Sequence, residues 1–244
     1  MHRVVIALAA VALVCAVDGT AADRAVRSDR TVTRVESLGH SVRGRPITVL
    51  ERGDPDAPVR ALVVGSIHGN EPAGIGIVEQ LESMSLPSER DLWTIEAANP
   101  DGVAADTRTN AHGVDLNRNF PWRWRPRGHP GDLHYSGSRP LSEPESRLLA
   151  RLIQRIRPQI TVWFHQSLGV VDESGGSLDL ERRFASLVGL PLRRLPRYPG
   201  GVTDWQNHRF PGTTAFVVEL PAGTLGLRAD RRYARAVSIL LRRS

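Results

Sequence analysis

The sequence predicts an α/β fold, a three-layer sandwich around a mixed, largely parallel central sheet. Short apolar, β-branched runs alternate with segments whose apolar residues recur at helical spacing, as in strands joined by crossover helices. The 244 residues are 41% hydrophobic and 24% charged, ordinary proportions for a globular domain large enough to bury a substantial core. Three ionisable residues, His68, His165 and Glu219, each stand at or just beyond the end of an apolar run. In sheets of this kind ligands bind beyond the carboxyl ends of the strands.

The elements follow in order. His2 and Arg3 make a short positive start, residues 4–17 are almost wholly apolar, and Gly19, Thr20, Ala21 and Ala22 are small. That order of regions predicts a signal peptide over residues 1–22. The alternative is an uncleaved anchor, for which the apolar run is short. A lipid anchor at Cys15 is disfavoured by the bulk of Val14. Residues 23–30 read as a polar linker, and residues 31–244 as one domain.

Within that domain, residues 31–51 predict two short strands around a turn at 39–46. Residues 60–66 predict a buried strand that runs into Ile67-His68-Gly69-Asn70-Glu71-Pro72, where Pro72 suits the first turn of a helix reaching about residue 84. Residues 92–98 predict a strand closed by Asn99-Pro100-Asp101-Gly102. Residues 103–140 are rich in Arg, Gly, Pro and Trp and read as irregular, and so long an irregular stretch in a compact domain is usually functional. A helix over 143–157, a strand over 160–164 ending at His165, a helix over 178–188, a strand over 213–218 ending at Glu219 and an amphipathic helix over 228–241 complete the pattern.

Composition narrows the function. Cys15 is the only cysteine, so the chain beyond the predicted signal has no disulfide and no cysteine nucleophile or metal ligand. Export without disulfides points to a secreted or cell-envelope location in a bacterium, with no stable membrane insertion of the mature chain. The net charge is +6, and all 32 basic residues are arginine. They are scattered, and no nucleic-acid motif accompanies them, so a nucleic-acid partner is not expected.

His68 and Glu71 are three residues apart across a strand-to-helix turn, where Gly65 and Gly69 give the backbone freedom. An imidazole and a carboxylate are good zinc ligands. Such a pair is common by chance, and a lone His165 would ordinarily be a core histidine. Together the three make a two-His, one-Glu set. Three protein ligands leave a coordination position open, the pattern of a catalytic zinc site. Glu219 lies in the apolar stretch Phe216-Val217-Val218-Glu219-Leu220, where a carboxylate is costly without a partner or a role. It reads either as an arginine's ion-pair partner or as a general base beside the metal.

The ordered set His-x-x-Glu, Asn99-Pro100-Asp101-Gly102, Arg108-Thr109-Asn110, Gly113-Val114-Asp115-Leu116-Asn117-Arg118-Asn119-Phe120, a distant His and a late Glu resembles the zinc carboxypeptidase family. Its short form is similar to the bacterial murein peptide amidases, which cleave the γ-D-glutamyl–diaminopimelate bond of wall peptides. The resemblance covers roughly residues 35–240 and implies a carboxypeptidase-like fold with one Zn2+ per chain. It implies His68, Glu71 and His165 as zinc ligands, Glu219 as general base and Arg108 as the arginine that stabilises the oxyanion. It implies Asn117 and Arg118 as the grip on the substrate's terminal carboxylate, and Asp115 as the partner orienting His68. Tyr198, before Pro199-Gly200-Gly201, is the match for a tyrosine that closes on substrate, and Asp204 is placed to meet a basic group. His40, His112, His129, His134 and His208 fit no ligand pattern and read as surface residues.

The predicted activity is therefore that of a zinc metallocarboxypeptidase. It would hydrolyse a peptide or amide bond next to a free carboxylate, with a peptide or peptidoglycan fragment as partner. Two other readings stay open at this stage: an aspartoacylase-like deacylase of small N-acyl amino acids, and a wall-binding protein that has lost catalysis.

Overall fold

The computed structural model describes residues 31–86 and 89–242; the predicted signal peptide and linker, residues 1–22 and 23–30, lie outside the described residues. The strands are β1 (Val32–His40), β2 (Pro46–Gly53), β3 (Val59–Ser66), β4 (Arg90–Ala97), β5 (Ile160–Asp172), β6 (Leu192–Arg193) and β7 (Thr214–Pro221). The helices are α1 (Ala73–Ser83), α2 (Pro100–Ala105), α3 (Pro144–Ile156), α4 (Leu178–Val188), α5 (Val202–Arg209) and α6 (Leu227–Leu241).

One mixed sheet joins the described strands in the order β1-β2-β4-β3-β5-β6, with β7 also pairing β5. β1, β2 and β4 pair antiparallel, whereas β3 pairs parallel with β4 and β5, and β5 parallel with β6 and β7. Successive side chains of a strand point to opposite faces, and the central strands are apolar on both. Ala61 and Val63 of β3, Val162 and Phe164 of β5, and Phe216 and Val218 of β7 pack into one core with α1, α4 and α6. Leu62, Val64, Trp163 and Val217 fill the other core with α3 and α5. This near-continuous apolar pattern is what a parallel sheet covered on both faces requires, and it produces the three layers.

Four features differ from the sequence expectation. Asn99-Pro100-Asp101-Gly102 opens the short helix α2, with Asn99 as N-cap accepting the Gly102 N–H at 2.9 Å and proline in the first turn. Strand β5 runs seven residues past His165, its pairing with β7 interrupted by register shifts. α5 and the two-residue β6 stand where no element was expected. Gly65 and Gly69 have ordinary φ angles; their role is close approach, because a Cβ on Gly69 would lie 1.8 Å from the Gly102 carbonyl carbon and one on Gly65 would lie 2.6 Å from the Glu96 oxygen. Among the described residues, no helix is long and apolar enough to cross a membrane.

Candidate metal centre

The parallel strands bring the three predicted ligands to one rim. β3 delivers His68 two residues after its end, the turn into α1 delivers Glu71, and β5 carries His165 directly opposite Glu219 of β7. His68 Nδ1 lies 3.0 Å from Glu71 Oε2 and 3.1 Å from His165 Nδ1, and His165 Nδ1 lies 2.9 Å from the same carboxylate oxygen. All three residues are buried.

Two ring nitrogens and a carboxylate oxygen facing one point are three electron-pair donors with nothing of their own to satisfy them all. Ligand atoms of a tetrahedral zinc with bonds of about 2.0–2.1 Å lie roughly 3.3 Å apart, so the triangle is close to the size the ion needs. The donor set fits zinc. His68 Nε2 faces Asp115 Oδ1 at 3.1 Å, which places the ring proton on Nε2 and turns the Nδ1 lone pair toward the centre.

Asp115 organises the surroundings. It is fully buried, meets Arg108 Nε at 3.0 Å and His134 Nδ1 at 3.2 Å, and accepts the Asn117 N–H at 3.0 Å. Burial alone would raise its pKa; the His68, His134 and Arg108 charges and hydrogen bonds overrule this and hold it well below the ordinary carboxylate range. Glu71 behaves alike, because burial is outweighed by His68 and His165. For His68, burial lowers the pKa, but Glu71 and Asp115 outweigh it and raise it. Glu219 is the contrast. Burial raises its pKa, with only partial relief from His165, and its Oε2 has no hydrogen-bond partner. A carboxylate so placed is disposed to take up a proton.

Arg108 Nη1 donates to Glu71 Oε1 at 2.8 Å, so Arg108 links Glu71 to Asp115 while lining the cleft. Asn117 accepts the Val202 N–H on its side-chain oxygen at 3.0 Å, which leaves its amide nitrogen free to donate to a ligand in the cleft. Arg118 is 6% exposed, with its guanidinium 4.4 Å from the centre of the Tyr198 ring. Arg118 Nη1 donates to the Asn117 carbonyl, and its Nε has no partner. A buried guanidinium left partly unsatisfied is costly unless an anion completes it.

The cleft encloses about 200 Å³ and brings together all eight predicted site residues: His68, Glu71, Arg108, Asn117, Arg118, His165, Tyr198 and Glu219. Asp204 lines it too. Sequence reasoning missed three residues near it. His134 reaches Asp115 and stacks on Tyr198 at 6.4 Å between ring centres. Asp172 and Arg197, paired at 2.5 Å, line its wall.

A parallel-sheet rim holding two imidazoles and a carboxylate, with an arginine-lined cleft alongside, defines the class of α/β metal-dependent hydrolases. Residues 20–171 match the family model for zinc carboxypeptidases, and the chain belongs to that family. The murein peptide amidase A of Vibrio campbellii is 32% identical over 221 residues, 84% of this chain and 86% of that protein. The murein peptide amidase A of Escherichia coli K12 is 31% identical over 183 residues, 70% of this chain and 75% of that one. The crystal structure of the murein-tripeptide amidase of Escherichia coli O157 superposes with a TM-score of 0.70 at 29% identity, covering 88% of this chain and 98% of that one. The carboxypeptidase A of Helicoverpa armigera, at TM-score 0.72 and 20% identity over 86% of this chain and 68% of its own, shares the fold. The protein is thus a hydrolase of the metallocarboxypeptidase kind, with zinc as its cofactor.

Proposed function

We propose that this hydrolase cleaves the amide bond joining a wall stem peptide to a residue that bears a free carboxylate, in the manner of a γ-D-glutamyl–diaminopimelate peptidase. The carrying observation is Arg118, a buried guanidinium with an unpartnered Nε, in the same cleft as the His68, Glu71 and His165 triad. A planar guanidinium forks onto a carboxylate, and the Asn117 amide adds a second donor. That grip fixes the scissile bond relative to Glu219.

Zinc held by His68, Glu71 and His165 would supply a Lewis acid that polarises the scissile carbonyl and makes water a stronger nucleophile. The protein's groups do the rest. Glu219, its proton affinity raised by burial, takes the proton of the attacking water and passes it to the leaving nitrogen. Arg108 presents positive charge where negative charge develops on the carbonyl oxygen. Tyr198, packed on Arg118, covers the bound carboxylate.

The identity with murein peptide amidases over most of both chains supports the wall peptide as substrate. The order of basic, apolar and small residues at the N-terminus supports action outside the cytoplasmic membrane.

The test is to incubate zinc-loaded protein with L-Ala-γ-D-Glu-meso-diaminopimelate, with α-linked peptides and with N-acyl amino acids, and to identify the products by mass. Release of diaminopimelate from the tripeptide is expected. Cleavage confined to α-linked peptides would overturn the wall reading, and cleavage confined to N-acyl amino acids would overturn the peptidase reading.

A further inference from the structure

A groove of about 1080 Å³ lies along the exposed side of α6 and shares no lining residue with the metal cleft. Four exposed arginines line it: Arg228, Arg231, Arg232 and Arg235. They stand at i, i+3, i+4 and i+7, so they form one stripe along the helix. Tyr233, Val237, Leu240 and Leu241 of the same helix are buried in the core that α1 and α4 share. Packing already in place therefore holds the stripe outward on a folded helix.

The charge of the stripe is uncompensated. Among the described residues, no carboxylate lies within ion-pair distance of any of the four. Arg231 Nε meets the neutral Gln80 side chain at 3.1 Å, and the Arg232 guanidinium lies 5.1 Å from the centre of the Tyr233 ring. The acid on the helix, Asp230, turns toward α1 and Glu79, where a Cβ on Gly76 would lie 3.2 Å from its Oδ2. Four like charges within about two turns of helix repel one another, and an anion laid against them relieves that repulsion.

The groove is also apolar. Leu227 and Ile239, near the two ends of the helix, line it and are 51% and 37% exposed. Single exposed apolar residues are ordinary, but apolar side chains flanking an arginine stripe give the face of an interfacial helix. A soluble polyanion would engage the guanidinium groups and leave both apolar side chains in water. An anionic bilayer engages both: phosphates fork onto arginine, while leucine and isoleucine reach the acyl boundary beneath. The net charge of +6 adds attraction at longer range. We propose that this face of α6 docks the protein peripherally on an anionic phospholipid surface.

Co-sedimentation with vesicles tests it, using the chain from residue 23 onward, because both cores are built from residues between Leu38 and Leu241. At low salt, mixed phosphatidylglycerol–phosphatidylcholine vesicles are expected to bind roughly tenfold or more tightly than phosphatidylcholine alone. Combining Arg228→Gln, Arg231→Gln, Arg232→Gln and Arg235→Gln should abolish that preference. The set Arg43→Gln, Arg139→Gln, Arg151→Gln and Arg209→Gln makes the same charge change at exposed positions off the helix and should largely keep it. Leu227→Ser with Ile239→Ser should weaken vesicle binding about tenfold. All these side chains are exposed, so each variant is expected to keep a native far-UV spectrum. Equal binding to the two kinds of vesicle, or equal losses from the two arginine sets, would overturn the proposal. Vesicle binding untouched by Leu227→Ser with Ile239→Ser would also overturn it, and would assign the stripe to soluble polyanions.

Discussion

Asp115 shows how much of this site depends on one buried charge. Its two oxygens meet His68, Arg108 and His134 and the backbone of Asn117, so it orients His68 and anchors a cleft arginine together. Asp115→Asn keeps the shape but removes the charge that makes His68 a strong donor and neutralises Arg108. Zinc affinity should fall about 10–100-fold, measured by competition with a chromophoric chelator, while the far-UV spectrum stays native. Unchanged affinity would show that His68 is held by packing alone. At this scale the sequence was informative wherever metal chemistry restricts residue type: His68 and Glu71, three residues apart, and the distant His165 make a recognisable set. Where packing alone brings residues together the signal vanishes. His134 lies 19 residues beyond Asp115 in an irregular segment, and nothing in its neighbours marks it as Asp115's partner. Asp172 and Arg197 meet only because β5 continues and the chain returns beside it.

The elements show the same division. The helices over 144–156, 178–188 and 227–241 carry strong apolar stripes and were legible almost to the residue. Helix α5 has no such stripe and follows Pro199-Gly200-Gly201; it is held by Val202 and Trp205 in the core and by the bond from Val202 to Asn117. The irregular stretch is ordered by asparagines that the family motif supplies. Asn119 Nδ2 reaches Ser136, Arg139 and Ser142, and Asn110 reaches Glu143 and Glu145. Half of that motif therefore fixes the loop that presents the other half.

Helix α4 offers a test of electrostatics. Burial lifts Glu181 from its ordinary 4.5 to about 7. The folded chain then holds a proton that the unfolded chain releases between those values. Stability contributed at this position is therefore highest at low pH, falls as pH rises through the window, and is fully lost above pH 7. The cost is on the order of 3 kcal/mol. Glu181→Gln removes the titration, so the difference in Tm between variant and wild type should move by several degrees in the variant's favour between pH 5 and pH 8. A difference that stays constant with pH would mean that Glu181 is ionised throughout.

For the molecule as a whole, alternation along the chain was enough to read the layers, because strands covered on both faces must be apolar throughout. It could not give the antiparallel pairing of β2 with β4, since strand order depends on contacts far apart in sequence. The centre ties distant parts of that sheet together: His68 leaves β3, Glu71 opens the turn into α1 and His165 belongs to β5. A ligand that binds only the folded state stabilises it by mass action, about 4 kcal/mol at a thousandfold excess over Kd. For a domain of this size that is roughly 10 °C in Tm. Chelation of zinc should lower Tm by about that amount, and His165→Ala should remove the response. Glu219→Gln separates base from ligand. Glu219 stands opposite His165 across β5 and β7 but outside the donor triangle. The variant should keep the full zinc-dependent rise in Tm and lose activity by about 10²–10⁴-fold, the usual contribution of general acid–base catalysis. Loss of the thermal response in Glu219→Gln would make Glu219 a ligand; retained turnover in a zinc-loaded variant would put the proton transfer on another group.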